Sequence, residues 1–309
     1  MSSEKLNIVF MGTPDFASTC LEVILESEHK VVGVVTAPDR QSGRGRKIHE
    51  SAVKKTALKH GLPLAQPEKL KAPEFHDILK QWGADLFVVV AFRMLPEVVW
   101  DMPAKGTYNL HASLLPQFRG AAPIQRAIMQ GAKESGATVF KLAHKIDTGN
   151  IISRVSLEIG PNENAGSLHD RILSAGSVLL VETLDNIAEG AHEEIPQSNL
   201  IEADLLEAPK IFKDDRRINW NASTSDIHNH VRGLSPYPAA FTSTFKILEG
   251  HPVTQGNLTP GQTLILDGKI IVGTADGSYE ITRLQPAGKS AMNSSDFVRG
   301  LRGEMGDFA

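Results

Sequence analysis

The sequence predicts an α/β protein: a Rossmann-like open, mostly parallel sheet with helices on both faces, followed by a small OB-like β-barrel domain. Across residues 1–189, short β-branched apolar runs alternate with stretches at helical spacing, the rhythm of a parallel sheet with crossover helices. After Gly190 that rhythm gives way to strand-like runs joined by glycine-containing turns. The length of 309 residues suits two domains of ~100–200 residues better than one core.

Leu6–Met11 and Val31–Ala37 read as strands buried on both faces. Between them, Phe16, Cys20 and Val23 recur at helical spacing after Pro14, which suits a first helical turn. Phe75, Ile78, Leu79 and Trp82 mark a second helix face, begun near Pro73 and stopped at Gly83. Leu86–Ala91 is a third strand and Thr107–Leu110 a fourth, while Leu168–Ile187 reads as one long helix. Residues 190–208 hold five acidic groups, no Lys or Arg, and Pro196, which is linker composition. Beyond it come a short helix at Ser225–Arg232 and strands at Phe241–Leu248, Gln262–Leu266, Lys269–Val272 and Tyr279–Arg283. The expected division is therefore 1–189, a linker at 190–208, and 209–309.

Composition narrows the class. Hydrophobic residues at 41% and charged residues at 22% are those of a soluble globular chain. No apolar run approaches the ~20 residues that cross a bilayer, and the polar start resembles neither a signal peptide nor a transit sequence. Cys20 is the only cysteine, so no intrachain disulfide forms and a cytoplasmic location is expected. The net charge of −4 argues against a general positive field, and residues 207–309 carry 11 basic and 11 acidic groups. A nucleic-acid partner would need local patches. Arg40, Arg44, Arg46 and Lys47, opposed nearby by Asp39 and Glu50, form one candidate; a solvated loop explains the same charges.

The chemistry concentrates in Asn109-Leu110-His111-Ala112-Ser113-Leu114-Leu115-Pro116, at the end of the fourth strand. Strand alternation points Asn109 and His111 to one side, beyond the carboxyl end of an open sheet, where ligands bind. Asp147-Thr148-Gly149 follows between the strand-like runs Thr138–Leu142 and Ile151–Leu157. An Asn, a His and an Asp suit acyl transfer to an amine. The amide donates to a developing oxyanion, the imidazole donates or shuttles a proton, and the carboxylate orients the imidazole or relieves the amine of its proton. The same Asn and His could instead cap backbone groups. There is no H-E-x-x-H, no cysteine cluster, no G-x-G-x-x-G, no Walker A and no G-x-S-x-G, so neither a metal, a nicotinamide nor a serine nucleophile is indicated.

Taken together these residues resemble the folate-dependent N-formyltransferase family. The likeness runs through Asn109-x-His111-x-Ser113-Leu114-Leu115-Pro116, Arg119-Gly120-Ala121-Ala122-Pro123-Ile124 and Asp147-Thr148-Gly149. Four further segments resemble the branch of that family that formylates methionyl-tRNA. They are Phe10–Ala17, the loop Pro38–Lys47, Arg217-Ile218-Asn219-Trp220 and Leu234–Thr242, so the likeness covers nearly the whole chain. After the third strand the chain reads Ala91-Phe92-Arg93-Met94-Leu95-Pro96, where many members carry a longer, glycine-containing segment.

The resemblance implies that Asn109, His111 and Asp147 are catalytic and that Ser113, Leu114, Leu115 and Pro116 form the folate-binding loop. It implies 10-formyltetrahydrofolate as a consumed co-substrate and initiator methionyl-tRNA as the acceptor. It assigns the loop around Arg44 to the acceptor end of the tRNA and the C-terminal domain to its flank. Within that domain Lys210, Lys213, Arg216 and Arg217 are the candidate contacts, with Arg299 and Arg302 as further ones. No obligatory protein partner and no membrane are implied. The rival expectations are a nucleotide-linked amino sugar as acceptor, hydrolysis of formylfolate by water, and a tRNA-binding module without turnover.

Overall fold

The computed structural model describes residues 5–42, 47–201, 204–255, 257–301, 306 and 308. The strands of the first half are β1 (Asn7–Gly12), β2 (Lys30–Val35), β3 (Arg40–Ser42), β4 (Lys47–His49), β5 (Leu64–Ala65), β6 (Leu86–Val90), β7 (Thr107–His111), β8 (Arg119–Gly120), β9 (Glu134–Lys141) and β10 (Ile151–Glu158). The helices are α1 (Asp15–Glu26), α2 (Ala52–Lys59), α3 (Pro73–Trp82), α4 (Glu97–Trp100), α5 (Pro123–Met129) and α6 (Ala165–Ala188). Then come β11 (Glu207–Ala208), α7 (Thr224–Leu234), β12 (Ala240–Phe241), β13 (Phe245–Val253), β14 (Thr263–Leu266), β15 (Lys269–Gly273), β16 (Ser278–Pro286), β17 (Met292–Asn293) and α8 (Ser294–Arg299).

The chain divides into two compact units that are not consecutive stretches. One takes residues from 1–119, 136–156 and 171–206, the other from 120–135, 157–170 and 207–309. Segments 120–135 and 157–170, which composition groups with the first domain, thus belong to the second unit.

The first unit holds a seven-stranded sheet in the order β10-β9-β7-β6-β1-β2-β5. Strand pairs β1–β2, β1–β6, β2–β5 and β6–β7 are parallel, and β9 runs antiparallel to β7. The central strands are buried because their sequences are continuous apolar runs: Ile8, Val9, Phe10 and Met11 are wholly inaccessible, and every residue of β6 is buried. Gly33 in β2 leaves the space that the Trp82 ring of α3 fills, since a Cβ there would lie 2.1 Å from it. Helix α3 starts with Pro73 and ends at Gly83, whose φ of 58° is a left-handed cap. It buries Phe75 and Leu79 but leaves Ile78 exposed, so the stripe read from spacing is one residue too wide.

Ile195 and Gln197 of the expected linker are held by the first unit. The backbones of Ile151 and Ile195 exchange two hydrogen bonds of 2.8 Å, and Gln197 is buried.

In the second unit β12-β13-β16-β15-β14 pair antiparallel in that order, with β17 beside β16. Its core gathers Ile218, Trp220, Ile227, Val231, Tyr279 and Ile281 among others. The run read as one strand, Phe241–Leu248, is a hairpin: Thr242 N–H donates to Phe245 O, and its Oγ1 accepts from Phe245 N–H, closing a turn between β12 and β13. Arg232, buried on α7, donates to Gly160 O and Glu163 O and so ties the 157–170 segment to that helix. Arg126 on α5 donates to Pro209 O and pairs with Asp215 at 3.2 Å.

Candidate active site

Strand β7 sits between β6 and β9, with Asn109 opposite Val89 on one side and Phe140 on the other. Pairing on both edges fixes the strand, so its side chains are aimed by the sheet and not by a flexible loop. Asn109 is half-buried, and its side-chain amide has no hydrogen-bond partner among the described residues. His111 is buried and its Nε2 lies 2.9 Å from Phe118 O. A carbonyl only accepts, so Nε2 carries a proton and Nδ1 is the nitrogen left for proton transfer. The expectation that His111 caps a backbone group is thus met by one nitrogen, leaving the chemistry of the other intact.

The carbonyl that orients His111 is itself held in place. Phe118 has φ of 59°, a left-handed conformation unusual for a bulky residue, and its N–H donates to Leu206 O at 2.6 Å. The loop before it is locked from beneath. Thr138 on β9 donates to Ser113 O and accepts from Leu115 N–H, while Ser113 Oγ donates to Gln117 O. Arg154 donates to Leu115 O, and the Leu115–Pro116 peptide is cis. Ser113 and Leu115 are fully buried and Pro116 is buried, so Leu114, half-buried, is the member of this set whose side chain is least enclosed.

Asp147 stands in the turn between β9 and β10, half-buried, at φ of 53°. Its neighbour Gly149 lies against Lys141 O, where a Cβ would come within 1.6 Å. Gln197 Nε2 donates to the carbonyls of Asp147 and Gly149 at 2.9 and 2.8 Å. Its Oε1 accepts from Arg119 Nε and Nη2 at 3.0 and 2.6 Å. Arg119 follows Phe118 in sequence, so one bonded path runs His111–Phe118–Arg119–Gln197–Asp147. The structure thereby brings His111 and Asp147 into a single network. Phe118 and Gln197 in this network, and Thr138 under the neighbouring loop, are not legible from sequence, because each acts through long-range hydrogen bonds that no spacing records.

Nearby, a hydrogen bond from Lys141, helped by one from Asn150, holds Glu194 below the usual carboxylate range. Burial pushes the Tyr108 hydroxyl up to about 12, and its O–H donates to Lys105 O. Burial likewise drives the Cys20 thiol to about 12, so this cysteine is core. In the segment after β6, Ala91 has φ of 45°, and the Arg93 guanidinium donates to the carbonyls of Pro67 and Glu68. Among the described residues no three His, Cys, Asp or Glu side chains are grouped to hold a metal, and no helix is long and apolar enough to cross a membrane.

The basic candidates are dispersed. Arg40 is exposed and opens the β3–β4 hairpin, and Lys47 begins β4; Arg44 and Arg46 lie outside the described residues. At the base of that hairpin Asp39 accepts from Lys54 and Gln66. In the second unit Arg216 and Arg217 lie 5.5 and 5.2 Å from the centre of the Phe241 ring, and Lys210 is 5.6 Å from that of Phe212. Arg216 also donates to Pro238 O and Ala239 O. Lys213, Arg216, Lys246 and Lys289 border a cavity of about 420 Å³ that includes Phe241 and Phe245. Arg299 pairs with Asp296, and Arg302 lies outside the described residues.

Known proteins resemble this chain along most of its length. Residues 6–184 match the formyl transferase family model, and residues 210–302 match that of the formyl transferase C-terminal domain. A methionyl-tRNA formyltransferase of Bacteroides fragilis is 47% identical, covering 97% of each chain, and one from Porphyromonas gingivalis is 42% identical over the same shares. Among solved structures, an N-formyltransferase from Helicobacter canadensis, in complex with folinic acid and dTDP-3-aminofucose, shares the fold. Its TM-score is 0.66 at 20% identity, covering 89% of this chain and 98% of that one. HypX from Aquifex aeolicus in complex with tetrahydrofolic acid gives 0.64 at 18% identity, over 95% of this chain and 47% of that one. The chain belongs to the formyl transferase family, and within it to the methionyl-tRNA formyltransferases.

Proposed function

We propose that this enzyme transfers the formyl group from N10 of 10-formyltetrahydrofolate to the α-amino group of initiator methionyl-tRNA. The observation that carries the reading is the network from His111 to Asp147 beside the uncommitted amide of Asn109. Full-length identity to methionyl-tRNA formyltransferases supports the choice of acceptor. The α-amine attacks the formyl carbon, the C–N10 bond breaks, and the products are N-formylmethionyl-tRNA and tetrahydrofolate. Asn109 donates to the oxyanion of the tetrahedral intermediate, an effect of ~10²–10³ in rate for one such donor. Asp147 draws the proton from the attacking amine through a water and passes it to Nδ1 of His111, from which it moves to N10 as the C–N10 bond breaks. Alignment of the two substrates contributes up to ~7–11 kcal/mol in favourable cases.

On this reading residues 1–189 bind the folate through the Ser113–Pro116 loop, and 209–309 hold the tRNA. Arg40, Arg44, Arg46 and Lys47 engage the acceptor end, while Lys210, Lys213, Arg216 and Arg217 bind backbone phosphates, with Phe241 as a stacking surface. A protein acting on this tRNA works in the cytoplasm. The test presents 10-formyltetrahydrofolate with initiator methionyl-tRNA, elongator methionyl-tRNA and a nucleotide-linked amino sugar in competition. Selective formylation of the initiator is expected. Formylation of the sugar alone would retain the site and overturn the acceptor, and formate release without any amine would make the enzyme a hydrolase.

A further inference from the structure

Gln197 comes from the acidic, Pro-containing stretch whose composition reads as a linker, yet it is only 3% exposed and every polar atom of its side chain is engaged. We propose that Gln197 is the positioning residue of the Asp147 turn, a buried amide that fixes the backbone of the catalytic carboxylate on one side and the Arg119 guanidinium on the other. The proposal rests on Asp147 being catalytic, as argued above.

The amide has one workable orientation. Its oxygen faces two guanidinium N–H groups and its nitrogen faces two carbonyl oxygens. Rotation by a half-turn would oppose donors to donors and acceptors to acceptors. Asp147 needs such a support because its φ of 53° is disfavoured for a residue with a side chain and persists only where its surroundings over-determine it. Gly149 seats the far end of the same turn against Lys141 O, so the two carbonyls held by Gln197 bracket the turn. Gln197 never reaches the reacting atoms on this account; it sets where the Asp147 carboxylate points. The rest of its segment is docked independently, through the Ile151–Ile195 backbone pair and through Glu194, which accepts from Lys141 and Asn150.

The test is a double-mutant cycle on the full chain with 10-formyltetrahydrofolate and methionyl-tRNA, with melting temperature followed in parallel. Gln197→Glu keeps size and the acceptor for Arg119 but loses both donors to the turn. It is expected to lower kcat about 10- to 100-fold with KM for either substrate little changed. Gln197→Met should do the same at some cost in melting temperature. Combined with Asp147→Asn, Gln197→Glu should slow turnover no further than Asp147→Asn does alone, because both changes remove one function. Glu194→Ala, which removes the side-chain bonds to Lys141 and Asn150 at the stems of the turn but keeps both Gln197 donors in place, should lower kcat far less than Gln197→Glu does. Losses that multiply in the double variant would overturn the proposal, and so would an equal loss in Glu194→Ala or wild-type kcat in Gln197→Glu. Wild-type turnover of Asp147→Asn would instead remove the catalytic reading itself, and the proposal with it.

Discussion

The two units differ in which polar side chains tie down their main chain. In the first, neutral groups do most of the holding at the site: Thr138, Ser113, Gln197 and the Nε2 of His111 bind main-chain atoms of its loops, joined by one cation, Arg154, on Leu115 O. In the second, cations take a larger share of that work. Arg232 ties down Gly160 and Glu163, Arg126 ties down Pro209, and Arg216 ties down Pro238 and Ala239. A site that must bind and release a folate gains from neutral anchors, whose strength changes little with charge nearby. Residues 207–309 of the second unit carry 11 Lys and Arg, and part of that charge serves architecture. Counting Lys and Arg in residues 207–309 therefore overstates the charge left for a phosphate.

The largest expected effect lies at the first site. Asn109→Ala should lower kcat/KM for formyl transfer by ~10²–10³, the scale for one oxyanion donor, with little change in melting temperature. Wild-type turnover in that variant would remove the amide from the mechanism. Next in size is Arg232→Met, which removes the guanidinium donor to Gly160 O and Glu163 O and should destabilise the second unit by about 1–3 kcal/mol. Hydrogen exchange should show the loss on α7 and residues 157–170 before it reaches β1 and β6. Uniform loss across both units would dissolve the contrast drawn above.

Arg216 and Arg217 sharpen the comparison, since both sit over Phe241 but only Arg216 binds carbonyls. Arg217→Ala should weaken tRNA binding and reduce the slope of log K against log salt by about 1, with unchanged melting. Arg216→Ala should instead lower melting, and similar behaviour of the two would show that the carbonyl bonds contribute nothing.

The smallest effect concerns acid. Burial holds His228 and His230 below the usual imidazole value of 6.5, and their neighbours Arg232 and Arg126 add to it. His230 also faces Asp215 and the backbone of Arg216, which oppose the shift without reversing it. A depressed pKa keeps the folded rings neutral, so the unfolded chain takes up protons that the folded one refuses. Stability is thus full above pH 6.5 and falls as pH drops below it, toward the folded values. In the first unit His29 shifts the same way, again through burial, with Asp185 opposing. Melting followed between pH 7.5 and 5.5 should decline, and His230→Gln should flatten the decline; an unchanged slope would exclude that ring.

Much of the fold is legible because it depends on local pattern. The wholly apolar β6 and the Pro73-to-Gly83 span of α3 follow from composition and caps. The placement of Asn109 and His111 follows from strand alternation and from the rule that ligands gather beyond strand ends. What escapes is long-range. Nothing near Gln197 in sequence points to Arg119 or Asp147, and nothing in residues 157–170 points to Arg232. The split of Phe241–Leu248 is an intermediate case, since only the hydroxyl of Thr242 marks the turn.

The interleaving of the units has a consequence for recombination. A fragment beginning at residue 209 would lack Gly160 and Glu163, the carbonyls that Arg232 satisfies, and would lack α5, against which Gly233 packs through Met129. The second unit is therefore not a cassette that can be moved to another catalytic partner by splicing at the expected linker. A chimera that keeps it intact must carry 120–135 and 157–170 from the same parent. Moving the second unit between relatives is for this reason a matter of replacing several segments together.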